Sequence, residues 1–456
     1  MRALRDLILE GSSRSAALIL GMLLVVSPLA YVPIGVDGVD ALMSPKIFTL
    51  KISALSLGVL VLIASRSVRV RDLSHPELWL LFGTIGWLAL AVGVSPDRHV
   101  GRPVLLDGLY FALTYAAVAA LPGSGRIVLR ALVVLGTILG TVIVLQERGY
   151  LVPGLRPFDG WVPPAGTFVH RNPAAYALAA ALVATVPMIV GARRRWSVLG
   201  LTLAGSMVAL GLIYARSRGA WIAAGAGLGV LLALQPRALL NLGRLHALAL
   251  VVVIAGHAAA TWPPSAPVSS GGEASESVAS RLEDAGSLRA RFDLWRVGGT
   301  MIADSPLFGL GPGRYEAEAP PLVPHIRADL VCHAHNDVIN LAVDAGLPAV
   351  ALFVAFVLIV LVRGLRRTRR DQRRWPPTLL GVVVVFLVMS SMEVVLRTSP
   401  LNVMCAASLA GLSTGIEAPP RRDGPRWVVV VIVGGVALLC ALAVAAGPLR
   451  RSLAGM

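Results

Sequence analysis

The sequence predicts an all-α integral membrane protein, with about 12 transmembrane helices and a long extracytoplasmic loop carrying short amphipathic helices. Three observations carry this. Hydrophobic residues make up 56% of the 456-residue chain and charged residues only 14%, whereas soluble domains carry about a quarter charged residues. Apolar runs of bilayer length recur along most of the chain. Arginine gathers in alternate short loops between those runs, the bias expected of cytoplasmic loops in a polytopic protein. This composition excludes a disordered chain, a collagen and a disulfide-stapled module. The three cysteines, Cys332, Cys405 and Cys440, form no framework.

Taken in order, the runs lie near 15–36, 47–64, 78–94, 104–121, 127–146, 173–191, 196–214, 219–235, 245–262, 346–362, 376–393, 400–416 and 427–446. The first follows Arg2, Arg5 and Arg14 and lacks a small-residue cleavage site, so it reads as a retained span. Loops carrying Arg66, Arg69 and Arg71, then Arg126, then Arg193 to Arg195, then Arg237 and Arg244, then the run from Arg363 to Arg374, then Arg421, Arg422 and Arg426, fall on one side. That side is cytoplasmic, together with the N-terminus. Residues 1–456 read as one polytopic membrane domain, and residues 263–345 as its large loop on the opposite side.

That loop opens with a flexible Pro/Ser/Gly/Glu stretch at 263–279. It continues into an amphipathic helix whose apolar positions are Leu288, Phe292, Trp295, Met301 and Ile302. The net charge of +16, from 41 basic and 25 acidic residues, would ordinarily suggest nucleic acid. Here most of it is loop charge, and the run Arg366 to Arg374 anchors the chain against anionic membrane lipids. No nucleic-acid partner is implied.

Chemistry is suggested by three segments on the outer face. The first is Phe168 to Pro173, with His170, Arg171 and Asn172; the second is Arg216 to Trp221, with Arg218. The third lies in the large loop, with Arg289, Arg291, Arg296 and Arg314, and then Cys332, His333, Ala334, His335, Asn336 and Asp337. Arginine at outer helix ends runs against the positive-inside bias and needs a partner, and a diphosphate bound bidentately is one. Asn336 is a plausible N-cap, which places His335 at the start of a helix. There the helix dipole disfavours imidazolium and leaves a ring able to accept a proton beside an anion site. Two other readings compete: a metal site from Cys332, His333 and His335, at a spacing too tight for a usual zinc loop, and a structural pair of loop histidines. GLGPGRY at 309–315 reads as a tight surface turn, because no strand precedes it and it carries Pro312.

The order SRGAW (217–221), RFDLW (291–295), DSPLFGLGPGRY (304–315) and HAHNDVINLAVDAGLP (333–348) resembles the O-antigen ligase and polymerase family. These are bacterial membrane enzymes that use glycans carried on undecaprenyl diphosphate. The motifs cover roughly residues 160–350, and Asp344 stands where the family more often has Glu. The resemblance implies a glycosyltransferase of the bacterial cytoplasmic (inner) membrane, its active site facing the periplasm. Arg218 and Arg291, with Arg216 and Arg171, would hold the diphosphate of the donor. His335 would take the proton of the acceptor hydroxyl, with His333, His170 and Asn336 in supporting places. Undecaprenyl diphosphate would leave with inversion, and no metal or cofactor is called for.

The acceptor would be lipid A core in a ligase, the growing glycan in a polymerase, or a protein hydroxyl in an O-oligosaccharyltransferase. A lipid-linked glycan transporter or flippase is the rival from another class. It would need ionisable residues within the spans, and Glu393 and Arg397, at the outer end of one span, are the nearest candidates.

Overall fold

The computed structural model describes residues 19–21, 23–30, 76–121, 123–147, 164–168, 170–236, 286–326, 331–370 and 375–413. The expected runs near 47–64, 245–262 and 427–446, and the stretch 263–279, lie outside the described residues. Within them the elements are α1 (Pro76–Val94), α2 (Arg98–Ala119), α3 (Ser124–Glu147), α4 (Arg171–Gly191), α5 (Arg195–Tyr214), α6 (Arg218–Leu234), α7 (Gly286–Asp304), α8 (Asp337–Arg370), α9 (Trp375–Ser390) and α10 (Ser399–Ser413). A helical stretch at Ile19–Leu29 precedes them, and a single turn at Tyr315–Glu318 leads into a 3₁₀ turn at Pro320–Leu322. All regular structure among the described residues is helical.

Five helices, α1, α3, α4, α5 and α8, are long and apolar enough to cross a membrane; α6, α9 and most of α10 are apolar but shorter. The expected runs between 78 and 235, and those near 376 and 400, each fall on one helix. Two boundaries differ. α2 starts at Arg98, ahead of its apolar run, because Asp97 caps it by accepting from the His99 and Val100 amides at 3.0 and 3.4 Å. The run near 346–362 is the second half of α8, which begins at Asp337 and is broken at Gly346 (φ 77°).

α4 forms the centre, with Ala174 to Ala181 all buried, and packs against α3, α5, α6 and α9. Small side chains permit this, since apolar helices in lipid gain from close backbone approach rather than from leaving water. α3 and α5 meet where Gly140 faces Gly211, and α6 meets α9 where Gly227 faces Gly381; a Cβ at any of these would strike the opposite backbone.

Residues 286–345 build a second, smaller apolar cluster over one end of the bundle. Leu294, Val297 and Met301 of α7 are buried with Tyr315, Ala319, Val323, Val331, Ala334 and Val343, and the Tyr315 hydroxyl donates to the Leu294 carbonyl at 2.8 Å. Of the expected apolar positions of α7, Met301 is buried and Trp295 and Ile302 pack against this cluster. Phe292 is 60% exposed and lies edge-on to Trp295. The helix instead turns Gly298 toward Ile339 of α8, where a Cβ would collide, and this sets which stripe faces inward. Leu288 lies outside the described side chains.

The turn at 309–315 docks on the break in α8. Leu310 N donates to the Val343 carbonyl at 2.8 Å, Gly313 N to Asp344 Oδ1 at 3.0 Å and Leu347 N to the Pro306 carbonyl at 2.8 Å. Gly309, Gly311 and Gly313 all have positive φ, which a turn of this tightness requires. A side chain at Gly346 would strike the Leu307 carbonyl.

Candidate active site

Three helices begin at one place. His170 caps α4, its Nδ1 accepting from Asn172 N at 3.2 Å. Ser217 stands at the cap of α6. Asn336 caps α8 as expected, its Oδ1 accepting from the Val338 and Ile339 amides at 3.0 and 3.1 Å. His335 thus sits one residue before the cap. All three ends abut the segment 391–398 that joins α9 to α10: Asn172 Nδ2 donates to Glu393 Oε2 at 3.1 Å, Asn336 Nδ2 donates to the Ser391 carbonyl at 3.2 Å, and Gly219 of α6 lies against Met392 and the Tyr176 hydroxyl. Helix N-termini carry partial positive charge and free amides, so their convergence favours an anion.

The 391–398 segment is pinned by carboxylates of α8. Val395 N and Leu396 N donate to Asp337 at 3.0 and 3.2 Å, and Arg397 pairs with Asp344. Burial works against the Arg397 charge, but Asp344 outweighs it and the pKa rises. Arg397 and the acidic-x-Gly motif are therefore used to hold the layer over this end of the bundle together.

Glu393 is the centre of the site. His335 Nδ1 lies 2.6 Å from Glu393 Oε1, and Arg291 of α7 is 3.6 Å from Oε2. Its side chain is only 13% exposed. Burial pushes its pKa up, but the hydrogen bond and charge of His335, with Arg291 and His170, outweigh that and hold it well below the usual carboxylate range. With Nδ1–H donated to Glu393, the ring presents Nε2 as the proton acceptor.

His335 (φ 48°) and Arg216 (φ 50°) are the two non-glycine residues with positive φ among the described residues. Such a conformation costs about 1–3 kcal/mol and persists where surroundings over-determine it. Around His335 they do so by the Asn336 cap and by Ala334 N donating to Asn340 Oδ1 at 3.1 Å.

The expected site residues are brought to this end to different degrees. Arg218 opens α6 and Arg171 opens α4. Arg291 touches Glu393 and hydrogen-bonds the Tyr176 hydroxyl. Arg216 is held by Glu147 at 2.6 Å, at the end of α3. The His333 ring centroid lies 6.5 Å from that of His335. Burial, then the charges of Arg397 and His335, lower its pKa to about 4, so it is a neutral ring. Arg296 is 83% exposed beside Asp293, and Arg314 is paired with Glu318. Burial pushes the Cys332 thiol up, and among the described residues no group of three His, Cys, Asp or Glu is arranged to hold a metal ion.

Residues 203–354 match the family model described as O-antigen ligase. That stretch of the chain is similar to the O-antigen ligase family. No curated protein matches the sequence. Together with the spans, the family match supports a multi-pass membrane enzyme with an O-antigen ligase or polymerase type of function. The matched segment runs from α5 into α8 and contains Arg216, Arg218, Arg291, His333, His335 and Asn336. Glu393, Asn172 and Tyr176 lie outside it; Asn172 belongs to the first of the three expected segments, whereas nothing in the sequence marks Glu393 or Tyr176 as a site residue. For Glu393 the signal in the sequence is an acid at the end of an apolar span, a feature that by itself points to a transport pathway.

Proposed function

We propose that the protein transfers a glycan from undecaprenyl diphosphate to an acceptor hydroxyl at the outer face of the bacterial cytoplasmic membrane. The observation that carries this reading is the 2.6 Å contact between His335 Nδ1 and Glu393, set among three helix N-termini and four arginines. A carboxylate that fixes the tautomer of an imidazole leaves the other ring nitrogen as base, and cations beside it suit a diphosphate leaving group.

In this reading Arg218 and Arg291 bind the diphosphate, with Arg171 and Arg216 at its edge. His335 Nε2 takes the proton as the acceptor oxygen attacks the anomeric carbon. The new C–O bond forms as the bond from that carbon to the phosphate oxygen breaks. Undecaprenyl diphosphate leaves with the electron pair, and configuration inverts. Arg291 also touches Glu393, so bound diphosphate competes for it and leaves Glu393 to His335 at the step where the base is needed. Glu393 and Arg397, which a transport pathway would enlist, are each tied to residues of the outer layer, and this supports transfer over transport.

The acceptor in this reading is lipid A core. Purified full-length protein in detergent, given a lipid-linked glycan and lipid A core, is expected to release undecaprenyl diphosphate and form the conjugate. Chain elongation without conjugation would make it a polymerase, glycosylation of a protein hydroxyl an O-oligosaccharyltransferase, and absence of release with every acceptor would overturn the reading.

A further inference from the structure

The end of the bundle opposite His335 carries a cleft of about 420 Å³, within the roughly 300–1,000 Å³ typical of small-molecule sites. Four helices, α3, α4, α5 and α9, meet there. Arg126 and Arg130, one turn apart on α3, face Arg193 and Arg194 of the α4–α5 connection, with Ser197 and Trp375 completing the rim. No carboxylate lines it. Among the described residues these four arginines have no ion-pair partner, which sets them apart from Arg216, Arg291, Arg314, Arg363 and Arg397. The Trp375 Nε1 is buried with no acceptor.

Two further features say what the cleft suits. Its floor is apolar, made by Leu129, Met188 and Leu201. Beside it Trp196 is 71% exposed with the Arg195 guanidinium 5.5 Å above its ring, the arrangement of an aromatic belt residue at headgroup level. Guanidinium groups bind phosphate oxygens bidentately. A free phosphate would use the rim and leave the floor idle, whereas a lipid would use both.

We propose that this cleft binds the phosphate headgroup of an anionic phospholipid from the leaflet at that end, with its glycerol and first methylenes on the apolar floor. The inference depends on the membrane topology and is independent of the transfer chemistry. Full-length protein in neutral detergent would be titrated with phosphatidylglycerol, phosphatidylcholine and inorganic phosphate and read by native mass spectrometry. Phosphatidylglycerol is expected to bind in preference to phosphatidylcholine. The triple variant Arg126→Gln, Arg130→Gln, Arg194→Gln should weaken it roughly tenfold or more, while Arg98→Gln, Arg102→Gln, Arg296→Gln, with the same loss of charge at exposed positions of the His335 end, should not. Equal losses in the two triples, equal binding of phosphatidylcholine, or displacement of the lipid by equimolar inorganic phosphate would each overturn the proposal. A photo-cross-linker at Ser197 gives a reading with no charge removed: it should label phosphatidylglycerol in mixed liposomes, and labelling in proportion to bulk lipid would contradict the site.

Discussion

Glu77 and Glu393 are carboxylates withdrawn from solvent at opposite ends of the bundle, 1% and 13% exposed at the side chain. Glu77 opens α1, pairs with Arg363 of α8 and accepts from the Ser413 hydroxyl of α10 at 2.9 Å. Its neighbours are a permanent cation and a hydroxyl, and what they accomplish is to tie three helices together. Glu393 has a histidine, an amide and a guanidinium that lies no closer than 3.6 Å. One of these partners can exchange a proton and another can be claimed by an incoming anion. The same functional group is thus a fastener at one end and an adjustable element at the other.

Substitutions that separate these two roles give graded effects. His335→Ala should lower transfer by roughly 10²–10⁴-fold while the helical circular dichroism stays native, as expected for loss of a general base. Arg218→Ala with Arg291→Ala should raise the donor dissociation constant by at least about tenfold, and lysine at the same positions should recover only part, because a point charge does not reproduce the bidentate fork. At the other end Arg363→Gln leaves Glu77 charged and unpaired, at a cost of about 3 kcal/mol in unfolding free energy, with turnover per folded molecule unchanged.

The pH dependences sharpen the contrast. Because the pKa of Glu393 is depressed on folding, its contribution is present above its ordinary value and is lost as pH falls from about 4.5 toward about 2. Glu393→Gln should therefore remove part of the stability lost by the wild type over that window. His333, neutral down to about pH 4, must be protonated in the unfolded chain first. Stability should fall between about pH 6.5 and 4, and His333→Gln should flatten that slope.

The helices were legible in the sequence because a bilayer requires long apolar segments, and small residues such as Gly140 and Gly211 then decide how closely they approach. The arginines of the site were legible because, on the expected topology, they stand at helix ends that the positive-inside bias disfavours. The Asn336 cap was legible from its position ahead of an apolar-periodic run. Glu393 was not, since the contact it makes spans 58 residues and no local pattern distinguishes a carboxylate that turns inward from one that ends a helix. The exposure of Phe292 on α7 was hidden for a related reason: Phe292 is as apolar as Leu294, and the close approach of Gly298 to Ile339 favours the stripe through Leu294, Val297 and Met301.

The most direct test of a paired Glu393 and His335 is a double-mutant cycle on transfer rate, using His335→Ala, Glu393→Gln and the two together. Groups that act as a unit lose their effect together. If Glu393 works by holding the ring, the double variant should be no slower than His335→Ala alone. Losses that multiply, with Glu393→Gln slowing the His335→Ala protein as much as it slows the wild type, would contradict it.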